Sequence, residues 1–270
     1  MANVTYTAVD GVLLSGDEEL ATLINNQAGS LVSGALVVDG GFPDDTNWTL
    51  GTGWTVPTAS VYETAIALDS PAHWLRLGDT SGSVAAVNPI ATGVIAGTYT
   101  GTVALNQAGL MVNDPDAPSI LLSGAGAVLL DASWPTVSSY YSIEVTIKPS
   151  TVEAGYHALF AEDGNWGVYL VGNKLSYYKA GLFQSSTVLV AGTIYHIVMT
   201  AEAGLVKFYI DGVFDFSTVA VVANGEVSNV GYDPTPSPTD YFKGNMQDII
   251  VFEGTLSATQ VANHFAATGL

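Results

Sequence analysis

Cysteine is absent from the 270 residues, which excludes disulfides, thiolate metal sites and cysteine nucleophiles. Basic residues are nearly absent: six Lys and Arg stand against 25 Asp and Glu, a formal charge of −19. A surface of that sign repels phosphates and anionic headgroups, so nucleic acid and membrane are not expected as partners. No apolar run approaches the roughly 20 residues of a membrane span. The opening Met1-Ala2-Asn3-Val4-Thr5-Tyr6 has neither a basic leader nor an apolar core, so no export signal is expected. Charge of either sign is scarce, at 11% of residues, whereas apolar residues make up 48%. That balance excludes a disordered chain and supplies a large core.

What is present is strand pattern. Ile194 to Thr200 and Leu205 to Ile210 are β-branched and aromatic runs joined by Ala201, Glu202, Ala203 and Gly204, the signature of a hairpin. In the second run Val206, Phe208 and Ile210 share a face. The first run is apolar in both phases, Ile194 and Val198 against Tyr195, Ile197 and Met199. A strand apolar on both faces is covered on both, so this hairpin is predicted to lie inside a layered sheet. Tyr141 to Lys148 alternates strictly, with Tyr141, Ile143, Val145 and Ile147 facing in. Ala158 to Ala161, Trp166 to Val171 and Lys174 to Lys179 continue a meander. Ser119 to Leu122 and Ala127 to Leu130 read as two strands around Gly124 and Gly126, and further short strands are expected around Val94 and Val103. Strands at this spacing mean an all-β sandwich.

Three stretches carry a family resemblance. The Tyr195-His196-Ile197-Val198-Met199-Thr200 strand, with Val206-Lys207-Phe208-Tyr209-Ile210-Asp211-Gly212 after a short turn, resembles the central hairpin of laminin-G-like (concanavalin A-like) jelly-roll domains. Tyr241 to Phe252, followed by Leu256-Ser257-Ala258-Thr259-Gln260-Val261, is similar to that family's last core strand and short closing helix. Ala72-His73-Trp74-Leu75-Arg76-Leu77-Gly78-Asp79 resembles its first strand. The resemblance implies a concanavalin A-like antiparallel β-sandwich over residues 62–270. By itself it leaves the activity open, because this fold hosts lectins, hydrolases, adhesins and structural modules.

Residues 1–40 are read as an N-terminal arm for docking or assembly. Asn3 to Val9 is a short strand, Ser15-Gly16-Asp17-Glu18 a capping box opening one small helix, and Leu31 to Val38 a second strand. Residues 41–61 form a connector holding Trp48 and Trp54. These two tryptophans are candidate sugar-stacking residues, although large aromatics more commonly pack against the fold. Gly231 to Asp240, with three of the 11 prolines, is a surface loop.

Catalysis is not expected. Hydrolases of the resembled fold set a glutamate pair along one strand, as acid and nucleophile; the corresponding strand here offers Glu144 alone. No serine sits in a Gly-x-Ser-x-Gly elbow. His73, His157, His196 and His264 are scattered without metal-ligand spacing. His196, between apolar neighbours, reads as a hydrogen-bonded core histidine. Arg76, the single arginine, is expected to pair with a nearby carboxylate. Laminin-G-like domains often hold calcium, and the resemblance nominates Asp79 and Asp248 as its ligands; the competing reading is that aspartates cap turns.

These features suggest a non-enzymatic accessory protein of a tailed-phage virion, in capsid decoration, head fibre or tail surface. It would be assembled in the host cytoplasm and exposed on the particle. Its expected partners are other virion proteins (the major capsid or a tail protein) and a host-surface glycan. The alternative is a carbohydrate-binding module or lectin of a larger secreted protein. Few charges and a mean hydropathy of +0.34 predict a homo-oligomer.

Overall fold

A computed structural model describes residues 7–9, 12–14, 59–79, 82, 84–85, 97–114, 117–134, 140–162, 166–179, 181–219, 227–234 and 240–270. The chain divides into two units, Met1–Thr58 and Ala59–Leu270. In the first, strands β1 (Thr7–Val9) and β2 (Val12–Leu14) form an antiparallel pair. The small helix expected after Ser15, the strand from Leu31 and the tryptophan connector lie outside the described residues.

The second unit is the antiparallel sandwich that the strand pattern implies. It opens on helix α1 (Val61–Leu68) and continues through β3 (His73–Leu75), β4 (Val84–Ala85), β5 (Gly97–Gln107), β6 (Ser119–Trp134) and β7 (Tyr140–Pro149). A meander follows: β8 (Tyr156–Glu162), β9 (Trp166–Val171), β10 (Lys174–Tyr178) and β11 (Leu182–Gln184). Then come β12 (Tyr195–Glu202), β13 (Leu205–Ile210), β14 (Val213–Val219), β15 (Val227–Val230), β16 (Lys243–Phe252) and the closing helix α2 (Ala258–Thr268). Hydrogen-bonded neighbours run β11-β10-β9-β8-β15-β6-β16-β7-β12-β13-β14, with β3 on β16, and with β5 between β4 and β6.

Local chemistry fixes the turns. Ala203 and Gly204 both have positive φ, and so do Asp211 and Gly212, which gives two consecutive tight hairpin turns joining β12, β13 and β14. The expected hairpin is therefore present with a shorter turn, because Ala201 and Glu202 continue β12.

The two strands expected at Ser119–Leu122 and Ala127–Leu130 are one strand of 16 residues, β6. Its first part pairs with β16 and its last part with β15, so it serves both halves of the sandwich. The glycines bend it without ending it. A Cβ on Gly126 would stand 2.3 Å from the Thr102 carbonyl oxygen of β5, a separation only glycine permits. Likewise, the short strand expected around Val103 is the 11-residue β5; Val94 lies outside the described residues.

One buried cluster fills the interior with Tyr141, Ile143, Val145 and Ile147 of β7, Ile197 and Met199 of β12, and Val206, Phe208 and Ile210 of β13. A second cluster lies beneath the helices and joins Tyr62, Ile66, Trp74, Val198, Tyr209, Ile250, Phe252 and Val261. Strand β12 feeds both, as its two-phase apolar pattern requires. Each helix is capped by a reciprocal box, Ser60 with Glu63 and Ser257 with Gln260, and Gly269 in the left-handed region ends α2. Burying a side chain such as Ile66 contributes about 1.5–3 kcal/mol, so these short helices are held by tertiary packing more than by propensity.

Candidate functional site

The residues nominated from the sequence fall in different places. Trp48 and Trp54 lie outside the described residues. Asp79 accepts a hydrogen bond from the Tyr99 hydroxyl at 2.6 Å. Asp248 is fully buried at a bulge in β16, with a φ of 55°. Its Oδ1 accepts from Trp74 Nε1 at 2.8 Å and lies 3.4 Å from Arg76 Nε. The cation beside Asp248 is therefore Arg76, whose other nitrogens reach Glu63 Oε1 at 3.1 Å and Asp114 Oδ2 at 2.7 Å. Burial pushes the Asp248 carboxyl up to about 7 against the pull of that guanidinium. Among the described residues no group of three or more His, Cys, Asp or Glu is placed to hold a metal ion. Of the two nominated carboxylates, Asp248 is thus engaged by an indole and a guanidinium, and Asp79 by a phenol.

The histidines, scattered in sequence, converge in pairs. His196 on β12 and His264 on α2 meet at Glu144 of β7, which is completely buried. Glu144 Oε1 takes the Tyr62 hydroxyl at 2.7 Å and His196 Nε2 at 2.7 Å, and Oε2 takes His264 Nδ1 at 2.8 Å. His264 Nε2 faces Asp69 Oδ2 at 2.8 Å, and Gln260 Nε2 donates to Asp69 Oδ1. An imidazole between two carboxylates donates from both nitrogens, so His264 is the imidazolium. Burial works against that charge, yet Glu144 and Asp69 hold its pKa above the ordinary histidine value. Burial also opposes the Glu144 charge, and the two histidines outweigh it and hold the carboxyl well below the usual range. Both oxygens of Glu144 are thus taken, inside the protein, by groups from β12 and both helices. It cannot reach a substrate; it ties the helices to the sheet.

The opposite sheet presents another surface. Along β9, Val168 and Leu170 enter the core, which turns Tyr169 outward; along β10, Leu175 and Tyr177 do the same for Tyr178. Tyr156, at the start of β8, packs edge-on against Tyr169 at 5.4 Å and Tyr178 at 6.4 Å. Tyr156 and Tyr178 remain 36% and 41% exposed. Residues 231–234 and Asp240 adjoin this sheet. Asp233 accepts the Tyr169 hydroxyl, and the Asp240 carbonyl accepts the Ala158 N–H at 3.2 Å. Tyr232 and Tyr241 stack at 4.3 Å. Burial and then Asp233 push the Asp240 carboxyl up, while His157 pulls the other way. His157, paired with the core residue Leu170, turns away from this face, and its Nδ1 meets the Tyr241 carbonyl at 3.0 Å. Exposed aromatic rings beside nearly buried polar groups can stack the apolar face of a sugar and accept from its hydroxyls.

Sequence reasoning passed over this face because its members come from three strands and a loop. The available signal was a tyrosine in the outward phase of each of β8, β9 and β10. Helix α1 was passed over too, although Ser60-Val61-Tyr62-Glu63 spells its capping box.

The sandwich and its closing helix define the class, and comparison with known proteins agrees. A laminin-G family model described as "Concanavalin A-like lectin/glucanases superfamily" matches residues 122–262, and the chain belongs to that superfamily. No curated protein sequence matches the chain. Among solved structures, the chain is similar to domain 4 of AbnA, a GH43 extracellular arabinanase from Geobacillus stearothermophilus, solved with arabinotriose. The TM-score is 0.51 at 22% identity, over 72% of this chain and 98% of that one. It is also similar to the botulinum neurotoxin serotype D ligand-binding domain in complex with N-acetylneuraminic acid, with a TM-score of 0.55 at 14% identity over 76% and 53%. Trypanosoma rangeli sialidase matches with a TM-score of 0.52 at 13% identity, over 73% of this chain and 33% of that one. This chain thus spans about half of the neurotoxin domain and a third of the sialidase, and at these identities the likeness is one of fold.

Proposed function

We propose that residues 59–270 form a non-catalytic carbohydrate-binding domain whose sugar site is the outer face of β8, β9 and β10 with Asp233 beside it. The observation that carries this reading is the pair of partly exposed rings, Tyr156 and Tyr178, packed edge-on, with Asp233 holding the Tyr169 hydroxyl beside them. Membership of a lectin and glucanase superfamily supports it, as do the sugars named with two of the structural neighbours. The non-catalytic part rests on Glu144, which is sealed beneath the helices. Binding of the whole chain to an oligosaccharide array, repeated with Tyr156→Ala and Tyr178→Ala, is the test. Loss of signal in both variants supports the site, and binding that ignores both substitutions removes it.

This sugar reading takes precedence over that of a purely structural accessory protein. We propose a virion surface as its setting on the composition alone: no cysteine, few charges and high hydropathy. The separate unit Met1–Thr58 would dock it on capsid or tail protein as a homo-oligomer. Immunogold labelling of particles from the native source, with sedimentation velocity on the isolated chain, tests that setting. Unlabelled particles would remove it without touching the sugar site.

A further inference from the structure

We propose that the junction of the two helices is a proton-operated clasp, closed while His264 carries both ring protons and released when it loses the one facing Asp69. The clasp belongs to the helix-covered sheet, and it stands or falls apart from the sugar reading. Asp69 caps the C-terminal end of α1, and His264 lies within α2. The 2.8 Å contact between His264 Nε2 and Asp69 Oδ2 therefore joins one helix to the other, backed by Gln260 of α2 on Asp69 Oδ1.

The surroundings decide which contact yields. Glu144 of β7 faces Nδ1 and Asp69 faces Nε2, while the Phe252 ring of β16 packs on the imidazole with centroids 5.6 Å apart. Glu144 also takes Tyr62 from α1 and His196 from β12, and α2 carries no other charged side chain. Glu144 is fully buried, so a donor lost there is not replaced by water, whereas the Asp69 side chain is 18% exposed. Asp69 also lines a cavity of about 250 Å³ with Ser70, Thr255 and Gln260, where Glu253 is the other charged group. The last ring proton therefore stays on Nδ1 against Glu144, because stripping a buried carboxylate of its donor costs more than freeing one that can turn to water. Nε2 is then a bare lone pair against a carboxylate oxygen, acceptor facing acceptor, and Asp69 turns into the cavity. Glu144 and Asp69 hold the His264 pKa above its ordinary 6.5, so the clasp is closed below that value and releases on its alkaline side.

The test is hydrogen exchange of the full chain from pH 6 to pH 9, read by mass spectrometry and corrected for the intrinsic pH dependence of exchange. The imidazole nitrogen shifts of His264, read by NMR over the same range, accompany it. The ring is expected to be doubly protonated at pH 6 and protonated on Nδ1 alone at pH 9. Exchange in residues 60–70 and 257–270 is expected to quicken at least about tenfold over that range, and to stay faster than in β7 and β12. Helices that exchange no faster than those strands at pH 9 would mean that the whole fold opens, which overturns the clasp. Helix exchange indifferent to pH, or a His264 already neutral at pH 6, overturns it as well. Asp69→Asn keeps the size and supplies an amide that accepts from the charged ring and donates to the neutral one, so it is expected to flatten the pH dependence. An undiminished dependence in that variant overturns the role of Asp69, and the nitrogen shifts of the parent chain test the proton without any substitution.

Discussion

The two outer faces of the sandwich handle polar groups in opposite ways. Beneath the helices, Tyr62, His196, His264 and Asp69 are joined through Glu144, whose two oxygens are both taken and which is wholly shut from water, with His196 Nδ1 the one buried nitrogen of the set left over. On the β8–β10 face, the Tyr156 and Tyr178 rings are left partly in solvent. A network satisfied internally gives stability and specific docking of the helices; a surface left incomplete is available to a ligand. The contrast teaches that the buried histidines and glutamate, the more chemically suggestive set by composition, are structural. The tyrosines, the blander set, form the better candidate site.

Four measurements can break or sharpen that comparison. The largest effect is expected from Glu144→Ala, which leaves a buried imidazolium and two further donors without their acceptor. A loss of about 3–5 kcal/mol in urea unfolding is expected, with sugar affinity unchanged wherever the variant is folded. A parallel drop in affinity would show that the two faces are coupled. Next is Arg76→Lys, which keeps the charge but cannot bridge Glu63, Asp114 and Asp248 together. About 2 kcal/mol of stability should go, read by the same denaturation. On the open face the effects should separate in the other direction. Tyr178→Ala should cost about tenfold in affinity, or about 1.4 kcal/mol. Its stability should stay within about 0.5 kcal/mol of the parent, because the ring is already substantially exposed.

The smallest effect is a pH slope. The pKa of His264 is raised in the fold, so its contribution is complete below its ordinary value of 6.5 and fades as pH rises through the folded value. Asp248, raised from 3.8 to about 7, slopes the same way. The pKa of Glu144 is depressed, so its contribution is present above 4.5 and is lost only as pH falls through the folded value. The unfolding free energy should therefore fall between pH 5 and pH 8, with a slope of about 1 kcal/mol per pH unit. His264→Gln should flatten that slope above pH 6.5 and leave the Asp248 part below it, and an unchanged slope above pH 6.5 would assign it elsewhere.

Much of the architecture was legible in the residues. The two-phase apolar character of Tyr195–Thr200 gave a strand covered on both sides, and alternation in Tyr141–Lys148 gave the inward set. The resemblance of Leu256 to Val261 gave the closing helix. Periodicity is a local signal, which acts between residues close in sequence. The continuity of β6 was hidden because Gly124 and Gly126 read as breaks, while only a partner strand shows them to be bends.

What the sequence by itself determined is the all-β class, the acidic charge and the family resemblance, since composition and short-range pattern set all three. Only the tertiary structure decided which polar residues act together. Glu144 meets His264 across 120 positions, and Tyr169, packed against Tyr156, meets Asp233 across 64. Hydrogen bonds and ring contacts depend on distances of a few ångströms, and those distances exist only once the sandwich has closed.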